Sequence, residues 1–334
     1  MQAPGRGYIR YVRYGVQLWF LLVISFLGYR FFQFVSHFEK GTPYVQRPPS
    51  VEGFLPIAGF MSFKYSLLTG IVEPAHPAAL VLFVGIVAVS LVLKKGFCGW
   101  ICPIGTLSQY FWMVGGKVRG RNFHMNNKLD IPLRSVKYII MGLFLLLIGV
   151  AMTPNMMVLF FITDYYKIVD VKTMKFFTDM SRITLFVLIG IGFFSLIYKN
   201  FWCRYLCPYG ALLGLVSLLS PLKIRRNGER CIHCHSCTEH CPELIDVESK
   251  ESVSSPECFA CMTCVSHCPQ EGALELSLNI HNRKKTIKPI VYPIVLILIF
   301  YLFIGFGIMT NHWKSKLPYG EYKRLLSPFQ HTRK

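Results

Sequence analysis

The sequence predicts an all-α polytopic membrane domain of about five transmembrane helices with an internal repeat, carrying a small inserted α+β domain just before its last helix. Three observations carry that expectation. The 334 residues are 53% hydrophobic and only 16% charged, against roughly 25% charged in ordinary soluble domains. The apolar residues gather into blocks separated by loops that hold nearly all the charge. All twelve cysteines fall into four tight groups, two beside apolar blocks and two in one polar segment. Such grouping points to metal sites in a reducing compartment before it points to disulfides.

The first apolar block runs from Val16 to Phe34 behind Arg6, Arg10 and Arg13. It has the outline of a signal peptide, but Tyr29, Arg30, Phe31 and Phe32 are all large and offer no cleavage site, so it reads as a retained first span. Ala78–Leu93, Val136–Met152, Ile183–Tyr198 and Ile290–Met309 are the further spans. A bilayer core asks for about 20 helical residues, so the second and fourth must borrow flanking residues such as Ser181. Residues 54–72 contain Lys64 and begin beside Pro56, and are read as a re-entrant or interfacial helix.

Orientation follows from loop charge. Between the second and third spans lie Lys94, Lys95, Lys117, Arg119, Arg121, Lys128 and Arg134 against the single acid Asp130. Between the first and second, Lys40, Arg47 and Lys64 are balanced by Glu39, Glu52 and Glu73. The positive-inside rule makes the former loop cytoplasmic. The N-terminus and residues 220–288 are then inside and the C-terminal tail outside, although Lys314, Lys316, Lys323, Arg324, Arg333 and Lys334 give that tail a contrary charge. The net charge of +19 is concentrated beside apolar runs, which favours membrane lipid over nucleic acid as the partner.

An internal repeat is legible. Residues 97–107 read FCGWICPIGTL and residues 202–212 read WCRYLCPYGAL, aligning Cys98, Cys102, Pro103, Gly105 and Leu107 with Cys203, Cys207, Pro208, Gly210 and Leu212 at a fixed offset of 105. Two halves of shared topology follow, with a site expected at their interface. If a copy is helical, its two thiols lie at i and i+4 on one face. Four such thiolates suit an additional iron–sulfur cluster or a soft metal ion such as copper(I). The competing expectation is that they are small buried residues or reversible dithiols holding no metal.

The remaining eight cysteines read C-x2-C-x2-C-x3-C-P twice, as Cys231, Cys234, Cys237, Cys241-Pro242 and Cys258, Cys261, Cys264, Cys268-Pro269. In this spacing a compact loop wraps three thiolates around one [4Fe–4S] cubane and sends the fourth to the other. The first cluster is expected on Cys231, Cys234, Cys237 and Cys268, the second on Cys258, Cys261, Cys264 and Cys241. Structural zinc would use paired C-x2-C units further apart. His233, His235, His240 and His267 are read as solvated groups or as neighbours of the ligands. No histidine falls within a span and no C-x-x-C-H occurs, which argues against haem. There is no G-x-x-x-x-G-K-[ST] and no G-x-G-x-x-G, so nucleotide or hydride chemistry has no visible machinery. His37 and His76, at span edges, are in reach of a quinone headgroup, yet a lone histidine beside Pro77 is more often a satisfied boundary residue.

Taken together, the C-x-x-x-C-P pairs at Cys98/Cys102 and Cys203/Cys207 and the two-cluster segment Cys231–Cys268 resemble the NapH, NosR and FixG/CcoG membrane ferredoxin family over about residues 80–275. The resemblance implies a protein of the bacterial cytoplasmic membrane that transfers electrons between the quinone pool, or a cytoplasmic donor, and an outer redox partner such as a cytochrome or iron–sulfur protein. No [ST]-G-A-[ST] flavin attachment motif occurs, and no large folded domain follows the last span, so the NapH type, a quinol dehydrogenase membrane component, fits best. The FixG/CcoG type implies the alternative of a copper reductase or an assembly factor for a respiratory oxidase. The expected layout is a membrane domain over 1–220, a two-[4Fe–4S] ferredoxin-like domain over 221–288, a final span over 289–310 and a basic tail over 311–334, with no residue cast as an acid, base or nucleophile.

Overall fold

The computed structural model describes residues 7–120, 123, 125–280 and 283–327. Arg6, Arg121, Arg333 and Lys334, counted among the loop charges above, lie outside them. Among the described residues, three helices are long and apolar enough to cross a membrane: Tyr8–Lys40, Lys128–Ala151 and Val291–Met309. Val169–Thr178 and Arg182–Ile197 together make a fourth, but they meet at a 76° bend. Ser181 does not extend that last helix; its hydroxyl accepts from the Thr184 N–H at 3.1 Å, the capping role to which serine is suited. Pro77–Leu93 is apolar throughout but only 17 residues long, so length alone does not qualify it.

The chain divides into two compact units. One comprises Met1–Leu21, Ile86–Gly142 and Leu188–Phe300; the other comprises Leu22–Gly85, Leu143–Val187 and Tyr301–Lys334. Every division point falls inside a helix, namely Tyr8–Lys40, Pro77–Leu93, Asn127–Phe144, Arg182–Ile197 and Val291–Met309. All twelve cysteines belong to the first unit.

The first unit contains an antiparallel sheet in the order β1 (Leu222–Arg226), β2 (Leu274–Ile280) and β3 (Arg283–Thr286). Leu222 pairs with Leu278 and Arg226 with Leu274. Alternation buries Leu222 and Ile224 on one face of β1 and Leu274 and Leu276 on β2. These side chains join Val247, Val253, Met262 and Val265 in the core, each buried side chain contributing about 1.5–3 kcal/mol. Both ferredoxin-type cysteine motifs lie between β1 and β2, so the β1–β2 pairing closes the segment that carries them.

The second unit accounts for Lys64. Its helix, Pro56–Thr69, directs the ammonium to the carbonyls of Ile148 and Met152, at 3.0 and 2.6 Å, where a π-helical turn, Leu145–Ala151, ends the preceding helix. Terminal carbonyls left without intrahelical partners are the natural acceptors for a lysine. The tail carries a helix, Tyr319–Leu326, whose Tyr322, Leu325 and Leu326 pack with Phe31, Phe34, Val35 and Phe38.

Candidate functional site

Two loops repeat each other at an offset of 27, Cys231-x-x-Cys234-x-x-Cys237 and Cys258-x-x-Cys261-x-x-Cys264. In both, the residues flanking the middle cysteine are left-handed: His233 and His235 at φ 54° and 56°, Ala260 and Met262 at φ 48° and 56°. Four non-glycine residues held there at matched positions mark a functional demand on the backbone. Such turns aim successive N–H groups inward and form the concavities that receive anionic groups, iron–sulfur clusters among them. Short helices follow, Ser236–Glu239 and Thr263–His267. Their ends stack His240 on His267, with ring centroids 4.0 Å apart.

Two cavities lie against these loops. One is lined by Cys231, Cys234, Cys237 and Cys268, with Ile232, His235 and Glu248. The other is lined by Cys241, Cys258, Cys261 and Cys264, with Ile224, Glu243 and Phe259. Each takes three cysteines from one loop and its fourth from the other. The surroundings differ: Cys234 is exposed, whereas Cys241, Cys258 and Cys264 are buried. Burial pushes the Cys241 thiol up to about 12 and raises Cys258 and Cys264 as well. Thiols so desolvated ionise when a cation takes their charge, and four sulfur donors in an apolar lining fit a cubane.

The C-x-x-x-C-P copies share one local design. Proline restricts the residue before it to extended backbone and is favoured as the first helical residue. Cys102 and Cys207 therefore become the N-caps of Pro103–Arg119 and Pro208–Val216. The Cys207 sulfur accepts from the Gly210 N–H at 3.2 Å, whereas Cys102 makes no side-chain capping bond to its helix. The N–H groups of Cys102 and Cys207 reach back five residues, to Phe97 and Trp202. The i and i+4 expectation is thus corrected, since the second cysteine of each copy opens a new helix instead of continuing the first. Burial pushes Cys102 up to about 11 and raises Cys98 and Cys203. Cys98 senses Cys102 and Cys207, and Cys203 senses Cys207, Cys102 and Cys98, so both copies converge on one place. Among the described residues, no group of three or more His, Cys, Asp or Glu side chains is arranged to hold a metal ion.

This place adjoins the second cavity. Trp100, between Cys98 and Cys102, donates its indole N–H to the carbonyl of Ala260, between Cys258 and Cys261, at 3.2 Å. Gly99 lies so close that a Cβ there would come 2.8 Å from the Phe259 Cβ. Lys94 and Lys199, equivalent in the repeat, donate to the carbonyls of Val253 and Glu239 at 2.8 and 3.1 Å. Buried charges fill the remainder. Lys137 bonds both oxygens of Glu257 at 2.7 Å, Asn200 donates to Glu243 at 2.6 Å, and Arg204 holds Asp130 through two bonds at 3.0 and 2.9 Å. Burial pushes the Glu243 carboxyl up to about 7. Glu257 feels burial too, yet Lys95 and Lys137 hold it below the usual carboxylate range. Lysines beside an apolar run and acids beside cysteines and prolines carry no sequence signal beyond ordinary loop charge.

The two span-edge histidines lie in the second unit. His76 is fully buried; its Nε2 lies 2.8 Å from the Tyr166 carbonyl, and its Nδ1 is 3.3 Å from Arg47 and 3.4 Å from Glu52. Arg47 also bonds Glu52 at 2.7 Å and Asp170 at 2.8 Å. His37 lies 2.8 Å from the Tyr319 hydroxyl. His233 and His235 both contact Glu248 in the first unit.

Fold and site together define a helical membrane protein with a cysteine-rich segment offering two four-thiol cavities of the ferredoxin kind. The chain belongs to the NapH/NosR-type family of membrane 4Fe–4S proteins. A model described as a 4Fe–4S binding domain matches twice, at residues 75–122 and 182–227, and one described as a 4Fe–4S dicluster domain matches residues 223–269. YccM of Escherichia coli strain K12, named for electron transport, is 40% identical over 319 residues, 94% of this chain and 89% of its own length. The ferredoxin-type protein NapH of the same strain is 25% identical over 193 residues, 54% of this chain and 62% of NapH. The regulatory protein NosR of Pseudomonas aeruginosa is 26% identical over 243 residues, 61% of this chain and 33% of NosR. No solved structure matches the chain.

Proposed function

We propose that this protein is the membrane-bound electron-transfer subunit of a respiratory complex, relaying single electrons between the quinone pool, or a cytoplasmic donor, and a partner redox protein. The observation that carries this reading is the pair of cavities, each gathering four cysteines in the crossed set that two cubanes require. Cys231, Cys234, Cys237 and Cys268 hold one [4Fe–4S] cluster, and Cys258, Cys261, Cys264 and Cys241 the other. Bound there, the clusters accept and release one electron at a time. The first set, with Cys234 exposed, is the port for a cytoplasmic partner. The second set, buried under the C-x-x-x-C-P elements, connects to the membrane.

Cys98, Cys102, Cys203 and Cys207 form a further redox centre, iron–sulfur in kind. The double match of a 4Fe–4S binding model across both copies supports this over a copper site. Five helices cross the bilayer, with residues 221–288 as a cytoplasmic ferredoxin domain between the membrane domain of 1–220 and the final span of 289–310. The residues after the last span then face outward. The five division points between the compact units, each inside one of these helices, support that count. Replacing Cys98 and Cys102 together by Ser, or Cys203 and Cys207 together, is expected to abolish reduction of the outer partner while leaving both ferredoxin clusters detectable by EPR. A quadruple variant that reduces its partner at the normal rate would remove these thiols from the path.

A further inference from the structure

Lys95 stands where the two cysteine regions meet. It is 1% exposed, and its ammonium accepts no neutralisation by hydrogen bonding, since its Nζ has no bonded partner. Among the described residues it forms an ion pair with Glu257, at 3.5 Å, an acid already shared with Lys137 at 2.7 Å. Its stem lies against the second C-x-x-x-C-P copy, with Cε 3.6 Å from where a Gly210 Cβ would be. The ammonium sits 5.0 Å over the ring of Phe259, which lines the second cavity. Cys98 and Cys203 are close enough to act on it electrostatically, as are Glu257 and Glu243.

The repeat makes the placement informative. At the same offset of 105, Lys95 corresponds to Asn200. Asn200 bonds Glu243, two residues after Cys241, at 2.6 Å, while Lys95 pairs with Glu257, next to Cys258. Each copy thus takes one of the two acids that flank the second cavity, through a charged lysine at this position in the first copy and a neutral asparagine in the second. A buried amine is costly to keep charged, and a neutral residue at the second copy fills the equivalent role. A cation fixed between two thiolate sites lowers the energy of an added electron at both, strongly so where water is excluded.

We infer that Lys95 is a positioning residue for electron transfer, the shared counter-charge that raises the reduction potentials of the centre on Cys98, Cys102, Cys203 and Cys207 and of the centre on Cys241, Cys258, Cys261 and Cys264. This rests on the assignment of redox centres proposed above. Burial works against the charge, but Glu257, Cys98 and Glu243 raise the ammonium's pKa, so it stays protonated.

The test is an EPR-monitored redox titration of the full-length protein, with signals assigned from Cys→Ser variants. Lys95→Gln should lower the potentials of those two centres by at least tenfold in the reduction equilibrium, about 59 mV for a one-electron couple, and leave the Cys231 centre unmoved. Lys95→Arg should restore them, and Glu257→Gln, which removes the opposing charge, should shift the Cys258 centre the other way. Unchanged potentials in Lys95→Gln, or an equal shift of every centre, would overturn the inference. If Lys95→Gln does not assemble, an unshifted Cys258 centre in Glu257→Gln overturns it instead. Absence of a signal dependent on Cys98 and Cys102 in the parent protein would count against the third centre alone, because the Cys258 centre still reports on Lys95.

Discussion

Both compact units bury charge in paired networks, and they differ in what is left over. In the cysteine-free unit, Arg47 bonds Asp170 and Glu52 and approaches His76, while Glu52 also accepts from the Ala79 N–H and Glu73 from the His76 N–H. The charges close on one another and tie Arg47, the short helix of Glu52, the start of Pro77–Leu93 and the helix of Asp170 into one piece. Asp170 and, in the cysteine-bearing unit, Glu243 each keep one buried oxygen without a hydrogen-bond partner while the other is bonded; Lys95 of the cysteine-bearing unit has its whole ammonium buried without one, over the ring of Phe259, which lines a cavity of thiols. Buried polar groups are paired unless something else is gained, and perturbed groups gather where chemistry is done. The contrast fits a folding role for the first network and, under the proposed function, a redox role for the second.

The largest expected effect is in the cysteine unit. Cys264→Ser should remove the cluster of the second cavity, with a loss of roughly four irons per chain, read by iron and sulfide analysis. Arg47→Met in the other unit should leave iron content untouched but destabilise the protein by about 3–5 kcal/mol, because Glu52 and Asp170 lose their cation; thermal unfolding in detergent measures this. Loss of iron in Arg47→Met, or full stability in it, would erase the contrast.

Within the cysteine unit, Gly105→Ala should cost roughly 3 kcal/mol, since its Cβ would lie 2.3 Å from the backbone oxygen of Cys98. Gly210→Ala should cost under about 1 kcal/mol, because its nearest neighbours are at 3.4 Å or more and belong to side chains. Equal costs would mean that the two copies are packed alike.

The smallest effect is a pH dependence. Burial raises Glu73 above the usual carboxylate range. Burial opposes protonation of His76, but Glu52 and Asp170 raise it above the usual histidine value. Both groups bind protons more tightly folded than unfolded. The stability linked to Glu73 is therefore lost as pH rises above about 4.5, and that linked to His76 as pH rises above about 6.5. Melting temperature should fall between pH 5 and 8, and His76→Gln should flatten the upper part of the curve by on the order of 1 kcal/mol. A parallel curve for the variant would place the titration elsewhere.

The grouping of the eight cysteines around two cavities was legible in the sequence, because their spacing repeats. Cys241 and Cys268, assigned across the two motifs, each line the cavity of the other loop. The apolar spans were legible to the extent that length decides: Val291–Met309 was, whereas the 76° bend before Arg182 was not. Lys95, Glu243 and Glu257 were hidden, since their meaning lies in contacts across the fold and their residue types read locally as loop charge. His76 was legible as a satisfied boundary residue, but its partners Arg47, Glu52 and Tyr166 lie up to 90 residues away.

The most direct test is metal and sulfide analysis of the purified full-length protein, with EPR after reduction. Roughly eight irons and eight sulfides should belong to the ferredoxin segment, persisting in the Cys98→Ser/Cys102→Ser variant, with additional iron in the parent protein alone. Zinc in place of iron, or an EPR-silent reduced protein without acid-labile sulfide, would contradict the account.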